Sequence, residues 1–173
     1  EKPEQLRRHK LVKISGLSHR KYFSDSASRV AFFESVISKK LWHLIGGVFG
    51  DEIRFHNTQL FFNPVNSAQL AYGHRDLKYS GLSVAIQQRL PNGAKSALPI
   101  PLIAETGLVL VPGSQCRWHT QQEFMTRSKV VFEAPLSDEH YIGLDVGDLL
   151  VFNAQMIHRG HYSNTTERKA LDL

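Results

Sequence analysis

A single cysteine, Cys116, occurs among 173 residues. No disulfide can form within the chain, and a zinc site built on thiolates is disfavoured. The scarcity of thiols suits a reducing compartment, so a cytoplasmic location is expected. Cys116 itself is read as a small packed side chain rather than a nucleophile. No apolar run approaches the roughly 20 residues that span a bilayer as a helix, so no membrane partner is expected. The first ten residues, Glu1 to Lys10, are charged rather than apolar and do not read as a secretory leader. Internal repeats and low-complexity stretches are absent. Acidic residues are outnumbered, 16 to 21, for a net charge of +5. The basic residues form no stripe interleaved with aromatics, so a nucleic-acid partner is not expected. The positive excess instead suits an anionic substrate or cosubstrate.

What is present is an ordinary globular composition, 42% hydrophobic and 21% charged. The length fits one domain over residues 1–173. Residues 1–50 read as an N-terminal extension with a covering helix, and 51–173 as a β-rich core. Leu11-Val12-Lys13-Ile14 suits an edge strand ended by Gly16. Ser24 or Asp25 suits a helix N-cap. Val30, Phe33, Ile37, Leu41 and Leu44 then recur at steps of three and four, which predicts one long helix stopped by Gly46-Gly47. From Arg54 onward short β-prone runs alternate with turn residues, at 55–62, 69–74, 82–88, 107–111, 129–133, 148–152 and 169–173. Asn63-Pro64, Pro91-Asn92-Gly93, Pro112-Gly113-Ser114 and Val146-Gly147-Asp148 punctuate them. This spacing predicts a mainly β sandwich or barrel with at least one flanking N-terminal helix. Residues 91–101 read as a mobile loop.

The chemistry begins at His74-Arg75-Asp76. On a strand, residues two apart share a side. His74 and Asp76 then project together while Arg75 points away. A nitrogen and an oxygen donor so placed make half of a facial metal site, with the third donor on another strand. Two histidines and one carboxylate on one face leave the opposite positions open, as in non-haem iron(II) oxygenases. Gly147-Asp148-Leu149-Leu150-Val151-Phe152 is a turn feeding an apolar strand, and the loop after it delivers His158. Arg168 follows ten residues later. On an antiparallel hairpin, His158 and Arg168 would enter one cavity from paired strands. Arginine there is a permanently charged fork for a carboxylate.

The order of these elements resembles the phytanoyl-CoA dioxygenase family of iron(II)/2-oxoglutarate oxygenases. The pieces that carry the resemblance are Gln59-Leu60-Phe61-Phe62-Asn63-Pro64, His74-Arg75-Asp76, Glu105-Thr106-Gly107-Leu108-Val109-Leu110-Val111-Pro112-Gly113-Ser114-Gln115, Gly147 to Phe152, His158-Arg159-Gly160 and Arg168. They cover residues 55–173. The resemblance implies a double-stranded β-helix, a jelly-roll, cupin-like barrel with the site in its mouth. It implies His74, Asp76 and His158 as iron ligands and Arg168 as the anchor for the distal carboxylate of 2-oxoglutarate. It implies a dioxygenase that converts 2-oxoglutarate and O2 to succinate and CO2 while hydroxylating an unactivated C–H bond of a small molecule. Two positions depart from the family pattern: Asn63 stands where many members carry lysine, and Gly160 where many carry serine or threonine. The carboxylate Asp76 disfavours a halogenase, which usually has a small residue there.

Other residues compete. His161 and His119 are alternative third donors, whereas His9, His19, His43, His56 and His140 lack partner spacing and read as structural. Asn57 and Gln59 fall two apart and suit hydrogen bonds to the cosubstrate. Trp118 and Tyr79 are candidate pocket aromatics. Substrate choice is expected to lie in the loops 78–81, 91–101 and 115–129. A cupin-like metalloenzyme that makes no use of 2-oxoglutarate, or a silent β-barrel binding module, remains open on the sequence.

Overall fold

The computed structural model describes residues 13–50, 55, 58–63, 73–75, 96–97, 99–101, 105–127, 135–161 and 167–173. The expected strands 82–88 and 129–133 lie outside these residues, as does most of 69–74.

The first described element is strand β1 (Lys13–Ser15), closed by Gly16 at φ 71°. Two helices follow, α1 (Ser26–Val36) and α2 (Lys39–Phe49). Asp25 caps α1 by accepting from the Ser28 N–H at 2.7 Å. The single long helix expected here is therefore divided, with the break at Ile37-Ser38. The Ser38 hydroxyl accepts from the Leu41 N–H at 3.2 Å and starts α2 afresh. Serine competes for backbone donors and favours a cap over a helix interior. The break also rotates the apolar face. Leu41 and Ile45 are buried, against Phe49, Leu149, Val151 and Leu173, while Val30 and Leu44 are exposed. Gly46-Gly47 does not end α2; Gly50, at φ 71°, does.

Nine strands are described, all in antiparallel pairs. The first sheet contains β1, β2 (Gln59–Phe62), β9 (Lys169–Asp172) and β4 (Pro99–Pro101), in that order. The first and last described strands thus flank β2: Phe61 is opposite both Lys13 and Ala170. The second sheet contains β6 (His140–Leu144), β5 (Glu105–Val111) and β8 (Ile157–Gly160). A two-stranded piece joins β3 (Ser96–Ala97) to β7 (Phe152–Asn153). None of these sheets closes on itself among the described residues.

Alternation along β5 splits its apolar side chains between two faces. Leu108 and Leu110 pack with Phe152, against Ile142, Leu150 and Met156. Val111 packs with Ile157 and Leu136 on the other side. The turn after β5 needs Gly113, whose φ of 79° favours a residue without a Cβ. The tight turn 145–148 is held by the Asp148 carboxylate, which accepts from the Asp145 N–H at 2.8 Å.

Several expectations are corrected. Residues 148–151 are not a strand; pairing begins at Phe152. His158 lies on a strand, β8, as expected, although its partner is not the strand that follows Arg168. Residues 96–97 and 99–101 pair as β3 and β4 within the segment read as a loop. Helix α3 (Gln121–Arg127) interrupts the expected loop 115–129. Each of these depends on partners distant in sequence, except α3, whose local capping signal is described below. No helix among the described residues is long and apolar enough to cross a membrane.

Candidate functional site

His74 lies in the short segment 73–75 and forms a β-bridge with His158 of β8. The His74 N–H donates to the His158 carbonyl at 2.9 Å, and the His158 N–H donates back to the His74 carbonyl at 3.0 Å. Residues directly opposite in an antiparallel pair send their side chains to the same face. The two imidazoles accordingly meet, with ring centroids 4.5 Å apart.

The His158 ring is oriented by a second contact. Its Nδ1 lies 2.9 Å from the Met156 carbonyl oxygen. A carbonyl only accepts, so Nδ1 is the donor here, which in a neutral ring leaves the lone pair on Nε2. This is the usual arrangement behind a metal-ligating histidine. Phe152 meets the same ring edge-on at 5.0 Å, and Leu110 is its cross-strand partner on β5. One flank of the histidine pair is therefore apolar.

The opposite face holds this pair in place. Gly73 runs close to the Ile157 and Leu136 side chains: a Cβ there would sit 3.1 Å from Ile157 Cγ2 and 3.3 Å from Leu136 Cδ1. Ser114 is fully buried, and its hydroxyl accepts from the Ile157 N–H at 2.7 Å. Arg75 points away from the histidines, as strand alternation requires. Its Nη1 donates to the Ser114 carbonyl at 2.7 Å and to the Gln155 carbonyl, and its Nη2 to the Arg117 carbonyl at 3.3 Å. Arg159 pairs with Glu139 through two hydrogen bonds, of 3.1 and 2.7 Å, which hold its guanidinium above its ordinary pKa.

Helix α3 begins with a reciprocal cap. The Glu123 carboxylate accepts from the Thr120 N–H at 2.7 Å, and the Thr120 hydroxyl accepts from the Glu123 N–H at 3.2 Å. Arg117 grips the same carboxylate with both terminal nitrogens, at 2.7 and 2.6 Å. Burial pushes the Glu123 pKa up, but the Arg117 hydrogen bonds, the Thr120 N–H and the charges of Arg117 and Arg75 together hold it below the ordinary value.

Arg168 stands immediately before β9 and is buried, its guanidinium 5.7 Å from the Phe61 ring centroid. Asn63, also buried, follows Phe62, whose cross-strand partner is Lys169. Gln59 shares the Phe61 face of β2 by alternation, and its Oε1 accepts from the Ser15 hydroxyl at 3.3 Å. The expected hairpin between His158 and Arg168 is corrected. Strand β8 pairs with β5, and β9 pairs with β2 and β4 in another sheet. Asp76, Asn57 and Tyr79 lie outside the described residues. Among the described residues, no group of three His, Cys, Asp or Glu side chains is arranged to hold a metal ion.

The competing histidines have other surroundings. His161 stacks edge-on with Tyr141 at 5.6 Å, and His119 with Trp118 at 5.3 Å. His19 accepts from the Lys21 N–H, and His43 donates to the Lys39 carbonyl. Cys116 is exposed, not packed as expected, because the turn Ser114–Cys116 buries Ser114 instead. Sequence reasoning missed the parts played by Gly73, Ser114 and Arg75. The glycine before His74 was a usable signal, and Thr120-x-x-Glu123 was another, for α3.

No protein-family model matches the sequence, and no curated protein matches it either. The fold, however, is shared with solved structures. HygX from Streptomyces hygroscopicus, with nickel, 2-oxoglutarate and hygromycin B bound, superposes with a TM-score of 0.64 at 13% identity, over 92% of this chain and 67% of that one. AviO1 from Streptomyces viridochromogenes Tue57 gives 0.62 at 16% identity, over 94% and 65%. EctD from S. alaskensis, with 2-oxoglutarate and 5-hydroxyectoine, gives 0.61 at 15% identity, over 93% and 54%. The chain spans 34% of the length of EvdMO1 and 50% of that of the non-haem monooxygenase ThoJ, which it also resembles.

Proposed function

We propose that the chain carries the core of an iron(II)/2-oxoglutarate-dependent oxygenase that hydroxylates a C–H bond of a small molecule. The reading extends to a double-stranded β-helix of the phytanoyl-CoA dioxygenase kind. The observation that carries it is the bridged pair His74 and His158, with the proton of His158 held on Nδ1 by the Met156 carbonyl. Two imidazoles on one face suit a divalent transition metal. Asp76 is the third donor in this reading, since an extended chain returns to the same side two residues after His74. The shared fold with HygX, whose structure holds nickel and 2-oxoglutarate, supports the same assignment.

Bound iron would supply the activation of O2, with 2-oxoglutarate leaving as succinate and CO2. The protein's own residues do the rest. His74 and His158 would hold the metal, with room left for the cosubstrate. Phe152, Leu108 and Leu110 keep water from the flank of His158. Arg168, which is buried, would provide an always-charged fork for the distal carboxylate, and Gln59 and Asn57 remain the proposed hydrogen-bonding groups for the cosubstrate.

Anaerobic titration tests this reading. The protein should bind iron(II), and 2-oxoglutarate should add a visible charge-transfer band. His74→Ala should abolish metal binding. Arg168→Gln should retain the metal but weaken 2-oxoglutarate by about 10–100-fold, the loss expected for hydrogen bonds to a charged group. Iron binding with no response to 2-oxoglutarate would leave a cupin-like metalloenzyme. Unaltered metal binding in His74→Ala would sink the site itself.

A further inference from the structure

Arg75 sits between the two proposed ligands His74 and Asp76, yet its side chain serves the other face. Its guanidinium gathers three backbone carbonyls from separate places. Ser114 and Arg117 belong to the turn after β5, and Gln155 belongs to the bend that leads into β8 and His158. Ser114 in turn receives the Ile157 N–H, one residue before His158. The segment bearing His74 and the strand bearing His158 are thus joined twice. They share the two backbone bonds of the bridge on one side and the Arg75 clasp on the other.

The clasp also reaches α3. Arg117, whose carbonyl Arg75 holds, grips Glu123 bidentately, and the charge of Arg75 itself acts on Glu123. The guanidinium serves these carbonyls from two separate nitrogens, Nη1 and Nη2; a lysine ammonium also has three donors, but they radiate from a single nitrogen and lack that fork. A short, single-residue bridge gives little hold on its own. The spacing of the two imidazoles therefore depends on what holds the backbone behind them.

From this we propose that Arg75 is a positioning residue. It sets the separation of His74 and His158, and it makes metal affinity depend on the 114–117 turn. This rests on the reading of His74 and His158 as metal ligands.

The test is titration of the full chain with cobalt(II) and nickel(II), with the melting temperature of the metal-free protein measured in parallel. Arg75→Lys and Arg75→Met should raise the metal Kd by about 10–100-fold, the range typical of groups that orient ligands. The methionine variant should show the larger effect. Affinities are measured well below each variant's melting temperature, so that only folded protein is compared. Asp25→Ala, which removes the α1 cap, is the control for lost stability alone and should bind metal like the wild type. The lysine variant keeps the charge and serves if the methionine variant does not fold. Wild-type affinity in Arg75→Lys, or an equal loss in Asp25→Ala, overturns the proposal. His74→Ala, run beside them, separates the two claims. If it binds metal normally, the ligand reading falls. If it binds none while the Arg75 variants bind normally, only the role of Arg75 falls.

Discussion

At the scale of single residues, the histidine pair is held mainly by groups that never touch it. Gly73 is the sharpest case. A methyl group there would press on Ile157 Cγ2 at 3.1 Å and Leu136 Cδ1 at 3.3 Å, both inside a packed cluster. Overpacking of this kind costs about 1–3 kcal/mol. Gly73→Ala should therefore lower the free energy of unfolding by that amount, read from chemical denaturation, and weaken metal binding with it, because the relief available is movement of the His74 backbone. Unchanged denaturation would mean that the cluster yields freely. Ser114 illustrates the same dependence from the other side. Its buried hydroxyl satisfies the Ile157 N–H, which points into the same packed region. The residues named from the sequence were donors with familiar chemistry, His74, His158 and Arg168. A glycine and a serine have no reactive group to advertise, and their roles exist only once Ile157 and Leu136 are beside them.

At the scale of elements, α3 shows how charge and helix geometry combine. Its first turn rests on an ionised Glu123, which serves the Thr120 N–H and Arg117 together. The folded carboxyl titrates below its ordinary value of 4.5. A group with a depressed folded pKa adds stability that is complete above the unfolded value and is lost as pH falls through the folded one. Stability should therefore decline below about pH 4.5 partly through this residue, and Glu123→Gln should flatten that part of the profile while lowering stability near neutrality. Urea denaturation from pH 7 to pH 3 measures it; parallel profiles for the two proteins would refute the assignment. The N-terminal helices carry a complementary lesson. Apolar steps of three and four run smoothly from Val30 to Leu44, yet the chain caps and restarts at Ser38. Periodicity reports which residues prefer an apolar face. A cap reports where backbone donors are satisfied, and here the cap decides.

At the scale of the whole molecule, a ligand that binds only the folded state stabilises it in proportion to its occupancy. With manganese(II) and 2-oxoglutarate together at 100 times their dissociation constants, each should contribute about 2.7 kcal/mol. Thermal denaturation should thus show a rise with metal, a further rise with 2-oxoglutarate in the wild type, and a second rise reduced to about 0.4–1.4 kcal/mol in Arg168→Gln. A second rise of equal size in both proteins would deny Arg168 its role. The sequence alone was enough for the β-rich class, the turns at Gly113 and Gly147, a helix start at Ser24 or Asp25 and the direction of Arg75 away from His74, because each follows from local backbone preference or from strand alternation. Tertiary structure alone decided that β8 joins β5 and the His74 segment, that β9 joins β2 and β4, and that Arg168 therefore stands in a different sheet from His158. Strand pairing is a long-range choice: backbone N–H and C=O groups are alike along the chain, and their partners are selected by which apolar faces can be buried together. Two histidines separated by 84 positions become neighbours in that way, and no local pattern around either one contains the other.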